Sequence, residues 1–97
     1  MDILDQFHGF EWDKGNQDKN FLKHQVTKEE CEETFFDPHK RLLRKLELEI
    51  EERYLLIGMT RSQRLLFVVF TLRRGKARVI SARDLNKRER ALYEERA

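Results

Sequence analysis

Val79-Ile80-Ser81-Ala82-Arg83, followed by Lys87-Arg88-Glu89-Arg90 and Tyr93, is the stretch on which the reading of this chain turns. A short apolar run enters a basic segment behind a helix-capping signal. Asp84 or Asn86 can cap, and Asn86 with Glu89 three residues later is the better cap. A strand therefore runs into a helix, and several arginines gather at one strand–helix junction. Clustered guanidiniums with no acidic majority around them usually meet phosphate, which they grip in a planar, bidentate way.

Upstream, Arg73-Arg74-Gly75-Lys76 reads as the turn into a strand over Ala77 to Ser81, with Gly75 supplying a positive φ. Before it, Leu65-Leu66-Phe67-Val68-Val69-Phe70 opens a strand running to Leu72 and lacks polar alternation, which predicts a central strand covered on both faces. Met59 to Gln63 joins it to a strand over Tyr54 to Gly58. Residues 42–52 are ambiguous. Leu46, Leu48 and Ile50 alternate with Glu47, Glu49 and Glu51, a strand with one wet face, yet Leu42, Leu46 and Ile50 also fit a helix. The strand reading is favoured. Thr27-Lys28-Glu29-Glu30 is a capping box opening a surface helix that stops near Phe35, before Asp37-Pro38. An earlier helix over Asn16 to His24 places Asn20, Lys23 and His24 on one face, and Phe7, Phe10 and Trp12 read as a short first strand. The order is strand, two helices, three or four strands, helix: an α+β domain built on an antiparallel meander.

Ninety-seven residues make a single domain over 1–97, because a second core could not be filled. The lone Cys31 excludes an intramolecular disulfide, fits a reducing compartment and reads as a half-buried structural thiol. The longest apolar run, Leu65 to Phe70, is far below membrane length, and the N-terminus lacks the regions of a secretory signal. The expectation is a soluble cytoplasmic protein. Residues 1–60 hold nine Lys/Arg against fourteen Asp/Glu, and residues 61–97 hold eleven against four. Balances of −5 and +7 suggest an anionic partner for the second part, unless the two parts neutralise each other in the fold.

Metal-free RNA cleavage needs a group to deprotonate the ribose 2′-OH, a group to protonate the leaving oxygen, and cations for the charge on phosphorus. Histidine suits the proton transfers near neutrality, and Lys and Arg suit the charge. Lys23-His24 with Arg78 and Arg83 meet that demand if the fold assembles them. The structural alternatives are a surface Lys-His dipeptide and an Arg78 paired with Glu51 or Glu89. Arg78 shares the face of Ile80 unless a bulge intervenes. His8, His24 and His39 are scattered and the acidic residues lie in runs, so no metal or other cofactor is expected. Neither Ser62 nor Ser81 sits in a nucleophile elbow. Solvated helix face is the default for the acidic runs, and core packing for Trp12, Phe67 and Phe70.

Phe10-Glu11-Trp12-Asp13, Asn20-x-x-Lys23-His24, Glu30 through Phe35-Phe36-Asp37-Pro38, Glu51-x-Arg53-Tyr54 with Gly58, Arg64-Leu65-Leu66, Arg78 through Arg83, and Arg88-Glu89 with Tyr93 follow one another in that order. Together they resemble the BrnT family of type II toxin–antitoxin toxins over nearly the whole chain. The resemblance implies a RelE-like ribonuclease fold and growth-inhibiting RNA cleavage. It further implies neutralisation by a BrnA-type antitoxin with a ribbon-helix-helix part, in a hetero-oligomer that meets operator DNA only through the antitoxin. Carried over, the candidate active-site residues are Lys23, His24, Arg64, Arg78 and Arg83, with His24 for proton transfer and the arginines for phosphate. Glu51 and Arg53 are supporting structural partners, and Glu89 and Tyr93 orient Arg83.

Two departures from the family pattern carry expectations. Gln25 stands where relatives commonly place Gly after the Lys-His pair, which predicts a less sharply turned backbone. Residues 39–50 are rich in Leu, Lys and Glu where relatives carry a short acidic segment with a His-Ser pair, and His39 lies too early to replace it. The alternative reading is therefore a degenerate, non-catalytic homologue that binds antitoxin or RNA. A small DNA-binding protein is a weaker rival, since no helix-turn-helix or heptad pattern is present.

Overall fold

Hydrophobic alternation broken by tight turns lays out a four-stranded antiparallel meander. Its strands are β1 (Arg41–Glu47), β2 (Glu52–Met59), β3 (Leu65–Arg73) and β4 (Lys76–Asp84), neighbours in space in that order. Helices α1 (Lys14–His24) and α2 (Lys28–Phe35) precede the sheet, and α3 (Lys87–Glu94) follows it. The structure is a computed structural model and describes residues 3–47 and 51–95. The strand reading of residues 42–52 holds for Arg41–Glu47 and from Glu52 onward, while Leu48, Glu49 and Ile50 lie outside the described residues.

Local chemistry sets the element ends. Thr27 accepts from the Glu30 amide at 3.1 Å while Glu30 accepts from the Thr27 amide at 2.9 Å, closing the capping box of α2. Asn86 and Glu89 do the same for α3, at 2.9 and 3.0 Å. Arg74 and Gly75 take φ of 53° and 81°, the left-handed pair that a two-residue hairpin requires. A side chain at Gly75 would also strike the His8 ring.

The inner face of the sheet carries Tyr54, Leu56, Leu66, Val68, Phe70, Ala77, Val79 and Ala82 against Val26, Cys31 and Phe35. Cys31 is fully buried rather than half-buried, and burial, aided by the charges of Glu30 and Glu32, pushes its thiol up to about 12. On the outer face, Ile57 gathers Leu43, Met59, Leu65 and Phe67 under Leu85, Leu92 and Tyr93. Strand β3 is thus central and covered on both faces, but more thinly on the outer one, where Leu65, Phe67 and Val69 stay half-buried.

Two features depart from simple alternation. The expected first strand shrinks to a parallel bridge between Phe10 and Ala77, flanked by bonds from the His8 amide to the Gly75 carbonyl and from the Glu11 amide to the Ala77 carbonyl. It lies along the free edge of β4. In β4, Val69 faces Ser81 while Phe70 faces Val79, so Ile80 is an inserted bulge residue. The bulge sends Ala77, Val79 and Ala82 inward and sets Arg78, Ser81 and Arg83 on the outer face.

Candidate active site

Antiparallel pairing brings the start of β3 and the end of β4 together, with Leu66 opposite Asp84 and Phe67 opposite Arg83. The C-terminus of α1 reaches the same corner, and Arg64 ties it there. The Arg64 Nε and Nη2 donate to the two Asp84 oxygens at 2.7 and 3.1 Å. Its Nη1 donates to Glu30 at 3.1 Å and to the Gln25 carbonyl at 2.9 Å, and Nη2 also donates to the His24 carbonyl at 3.1 Å. Every guanidinium nitrogen is therefore engaged by the protein. Two of the acceptors are orphan carbonyls at the end of α1, where a cation is favoured. The Arg64 guanidinium is the first cause holding Asp84 below its ordinary range, with the charges of Arg90 and His24 adding to it. Burial works against the Glu30 carboxylate, but the Thr27 amide and Arg64 outweigh it and hold Glu30 low.

Gln25, just past the helix, has φ 55°, and its amide donates to the Phe21 carbonyl at 2.7 Å. The expectation of a gentler turn at Gln25 is thus wrong: the chain turns as a glycine would allow, with a side chain in the left-handed region. The Arg64 bond to the Gln25 carbonyl helps hold that conformation.

Arg83 stands on the outer face with its guanidinium 4.3 Å above the Phe67 ring. Glu89 binds it in a two-pronged pair at 2.8 and 2.9 Å, and Nη1 also reaches the Asp84 carbonyl at 3.1 Å. Glu89 thus both closes the α3 cap and fixes Arg83, which holds the Glu89 carboxyl low and raises the guanidinium. Lys23 is exposed and His24 half-buried, and neither side chain has a hydrogen-bond partner among the described residues. His24 lies close enough to Asp84 for its charge to act there. Asp84 is thus bonded to Arg64 and at charge range of His24, while Arg83, held by Glu89, is the preceding residue of β4 and Lys23 precedes His24 on α1.

Other sequence candidates sit elsewhere. Arg78 pairs with Glu11 at 3.3 Å and Asp13 at 2.7 Å, not with Glu51 or Glu89, because the segment along the β4 edge brings those carboxylates to it. At a rise of about 3.3 Å per residue it lies roughly 15 Å down the strand from Arg83. Glu51 pairs with Arg73 at 3.4 Å and Arg53 at 3.8 Å, toward the opposite end of the sheet. Tyr93 does not orient Arg83. Its hydroxyl donates to buried Asp37 at 2.6 Å, and Asp37 also accepts from the Met59 amide, so Tyr93 pins α3 to the turn before β1. Burial first, then Asp37, raises the Tyr93 hydroxyl. Among the described residues no group of three His, Cys, Asp or Glu side chains is placed to hold a metal. No described helix is long and apolar enough to cross a membrane.

Glu30 and Asp84 were missed as members of the corner. The sequence offered Glu30 only as half of a capping box and Asp84 only as a cap candidate, and their shared partner Arg64 is more than twenty positions from Glu30 in the chain.

A family model described as ribonuclease toxin, BrnT, of type II toxin–antitoxin system matches residues 12–89. Among solved structures, the fold is similar to the 1.1 Å crystal structure of the Brucella abortus ribonuclease toxin BrnT. The TM-score is 0.62 at 18% identity, covering 81% of this chain and 97% of that one. No curated protein matches the sequence.

Proposed function

The chain belongs to the BrnT family of ribonuclease toxins of type II toxin–antitoxin systems, and from that premise we propose that it cleaves RNA at the corner where β3 begins and β4 ends. The observation that carries this reading is the His24 imidazole. It has no hydrogen-bond partner among the described residues, while Arg64 fastens the carbonyls of His24 and Gln25 and Arg83 stands on the adjoining strand end. In a RelE-like frame without a metal ion, His24 takes the proton of the ribose 2′-OH as that oxygen attacks phosphorus. The bond to the 5′ oxygen breaks, and the Lys23 ammonium beside it supplies the proton that this oxygen takes away. Arg83, pre-positioned by Glu89 and Phe67, stabilises charge on the phosphoryl oxygens. Arg64 acts as a positioning residue, since its donors are already engaged.

Cleavage of RNA in the cytoplasm arrests translation and growth. A BrnA-type antitoxin with a ribbon-helix-helix part neutralises the toxin in a hetero-oligomer by presenting acidic and apolar groups to this corner, and the complex reaches operator DNA through the antitoxin. The test is cleavage of a labelled structured RNA by the purified chain in EDTA, beside His24→Ala and Arg83→Gln. The parent should cut, and both variants should lose at least about a hundredfold in rate, the usual scale of a general base or a charge-stabilising donor. A parent that is folded, binds RNA and leaves it intact would overturn the proposal.

One observation favours a second reading, a non-catalytic module that binds antitoxin or RNA. Among the described residues His24 is the lone imidazole at the corner. His8 bonds to the Arg74 carbonyl at the far hairpin. His39 precedes Arg41, which stands in register with Ile57, Phe67 and Arg83 across the sheet, about 14 Å from β4 at three strand spacings. Growth arrest on overexpression that His24→Ala leaves unchanged would favour the module.

A further inference from the structure

The corner holds two guanidiniums, Arg64 and Arg83, against three carboxylates, Glu30, Asp84 and Glu89, all joined by bonds of 3.2 Å or less. Taken alone this cluster is net negative and would repel a polyphosphate. The cations that are not neutralised stand on its rims. Lys23 is exposed at the end of α1, and Lys87 and Arg90 are exposed on α3, and none of these side chains has a hydrogen bond or ion pair among the described residues. Spacing of three residues puts Lys87 and Arg90 on one face of α3. The rotation of that helix is fixed by Glu89 against Arg83 and by buried Tyr93 against Asp37, so the Lys87–Arg90 face is held outward beside Asp84. Arg90 is near enough for its charge to act on Asp84, as is His24.

We infer that Lys87 and Arg90 on α3, together with Lys23 at the end of α1, form the track that binds the RNA backbone. This inference rests on the reading of the chain as an RNA-cleaving toxin and assigns its phosphate contacts to residues outside the ion-paired arginines. Unpaired ammonium and guanidinium groups release counterions when they meet phosphate, so they contribute affinity that falls with salt. Arginines already bonded to carboxylates contribute far less of it.

The experiment is binding of a fluorescein-labelled single-stranded RNA, followed by anisotropy between 50 and 200 mM salt. The parent is compared with Lys87→Gln/Arg90→Gln and with Arg74→Gln/Lys76→Gln, a pair of exposed cations at the opposite end of β3 and β4. Each lost contact to a single strand removes about 0.7 from the slope of log K against log salt, so the first double variant should lose about 1.4. In affinity that is about a sevenfold smaller fall over the same salt range. The far pair should match the parent, and all three proteins should melt alike because the substituted side chains are exposed.

An unchanged slope for Lys87→Gln/Arg90→Gln overturns the inference, as does an equal loss in the far pair or a parent that binds no RNA at 50 mM salt. Polyglutamate binding that the first pair weakens, with RNA binding unchanged, also overturns it and gives the track to an acidic protein segment. The two readings fail separately. A parent that binds with the expected slope but never cuts removes the ribonuclease proposal alone. A parent that cuts while the slope ignores Lys87 and Arg90 removes the track alone.

Discussion

Replacing Arg64 by lysine keeps a positive charge at the corner and removes the fork, which makes it the sharpest probe of how His24 is held. Arginine reaches Asp84, Glu30 and the carbonyls of His24 and Gln25 at once. A lysine ammonium carries three N–H groups on one nitrogen and can serve one carboxylate and one further acceptor. At least one charged hydrogen bond to a carbonyl cap and one to a carboxylate are lost. Such bonds are worth about 1.5–3 kcal/mol each where water cannot replace them. Water can replace part of this, since Asp84 is 61% exposed while Arg64 and Glu30 are 26% and 23% exposed. With two bonds lost and both partly replaced by water, the total should come to about 2 kcal/mol. In a domain of this size that lowers Tm by about 8–16 °C. The loss should be local as well. Hydrogen exchange of amides 21–25 should speed up by about thirtyfold, while amides in the middle of β3 quicken only as far as global stability falls. RNA cleavage well below the new Tm should fall with His24 mispositioned, although RNA binding persists. A variant that melts within about 2 °C of the parent, with unchanged exchange in α1, would refute the claim that Arg64 holds this helix end.

Gln25→Gly relieves a left-handed residue at φ 55° and should stabilise the protein by about 1 kcal/mol, read as a Tm rise of about 4–8 °C. Gly58→Ala places a methyl group 2.8 Å from the Thr34 carbonyl and 2.9 Å from its Cβ, so a urea melt should show a loss of about 1–3 kcal/mol as α2 is pushed off β2. Glu30, Asp84 and Glu89 are all held below their ordinary values in the fold, so the unfolded chain binds protons first. Their contribution is complete above the unfolded values of about 4 and disappears as pH falls through the lowered ones, so Tm should be flat from pH 7 to about 5.5 and drop below about 5. A Tm that stayed level down to pH 3 would contradict it.

Features carried by neighbouring residues were legible in the chain. Thr27 with Glu30, Asn86 with Glu89, and Arg74-Gly75 each specify a cap or turn from within four residues, and each stands where the sequence placed it. The antiparallel strands and the helix after them followed from these signals, but the expected first strand is only a bridge at Phe10. Features set by distant contacts were not legible. The Ile80 bulge shows only in the pairing of β4 with β3, and nothing within Val79 to Arg83 marks the extra residue. The pairing of Arg78 with Glu11 and Asp13 depends on a segment that runs beside β4 with one bridge, below the length that a strand pattern reveals. The turn at Gln25 was misjudged because local preference favours glycine there. Arg64, nearly forty positions away, binds the carbonyls that keep a glutamine in place.

The corner also separates two kinds of electrostatic work that the sequence merges into one basic segment. An arginine bonded to a carboxylate presents a dipole, whose field dies quickly with distance, whereas an exposed lone cation acts out to about a Debye length, near 8 Å in physiological salt. Arg83 with Glu89, and Arg64 with Asp84 and Glu30, are of the first kind. They fix geometry at contact range and contribute little to drawing a polyanion in. Lys23, Lys87 and Arg90 are of the second kind: exposed, with no side-chain hydrogen bond or ion pair among the described residues. Combining both functions in one side chain would set them against each other. A guanidinium free enough to attract RNA from solution is not held still enough to meet one phosphoryl oxygen, and one held still by a carboxylate has surrendered its long-range charge. Part of the excess of basic residues in 61–97 is balanced by carboxylates of 1–60, Arg64 by Glu30, Arg73 by Glu51 and Arg78 by Glu11 and Asp13, while Lys87 and Arg90 stand exposed on the rim.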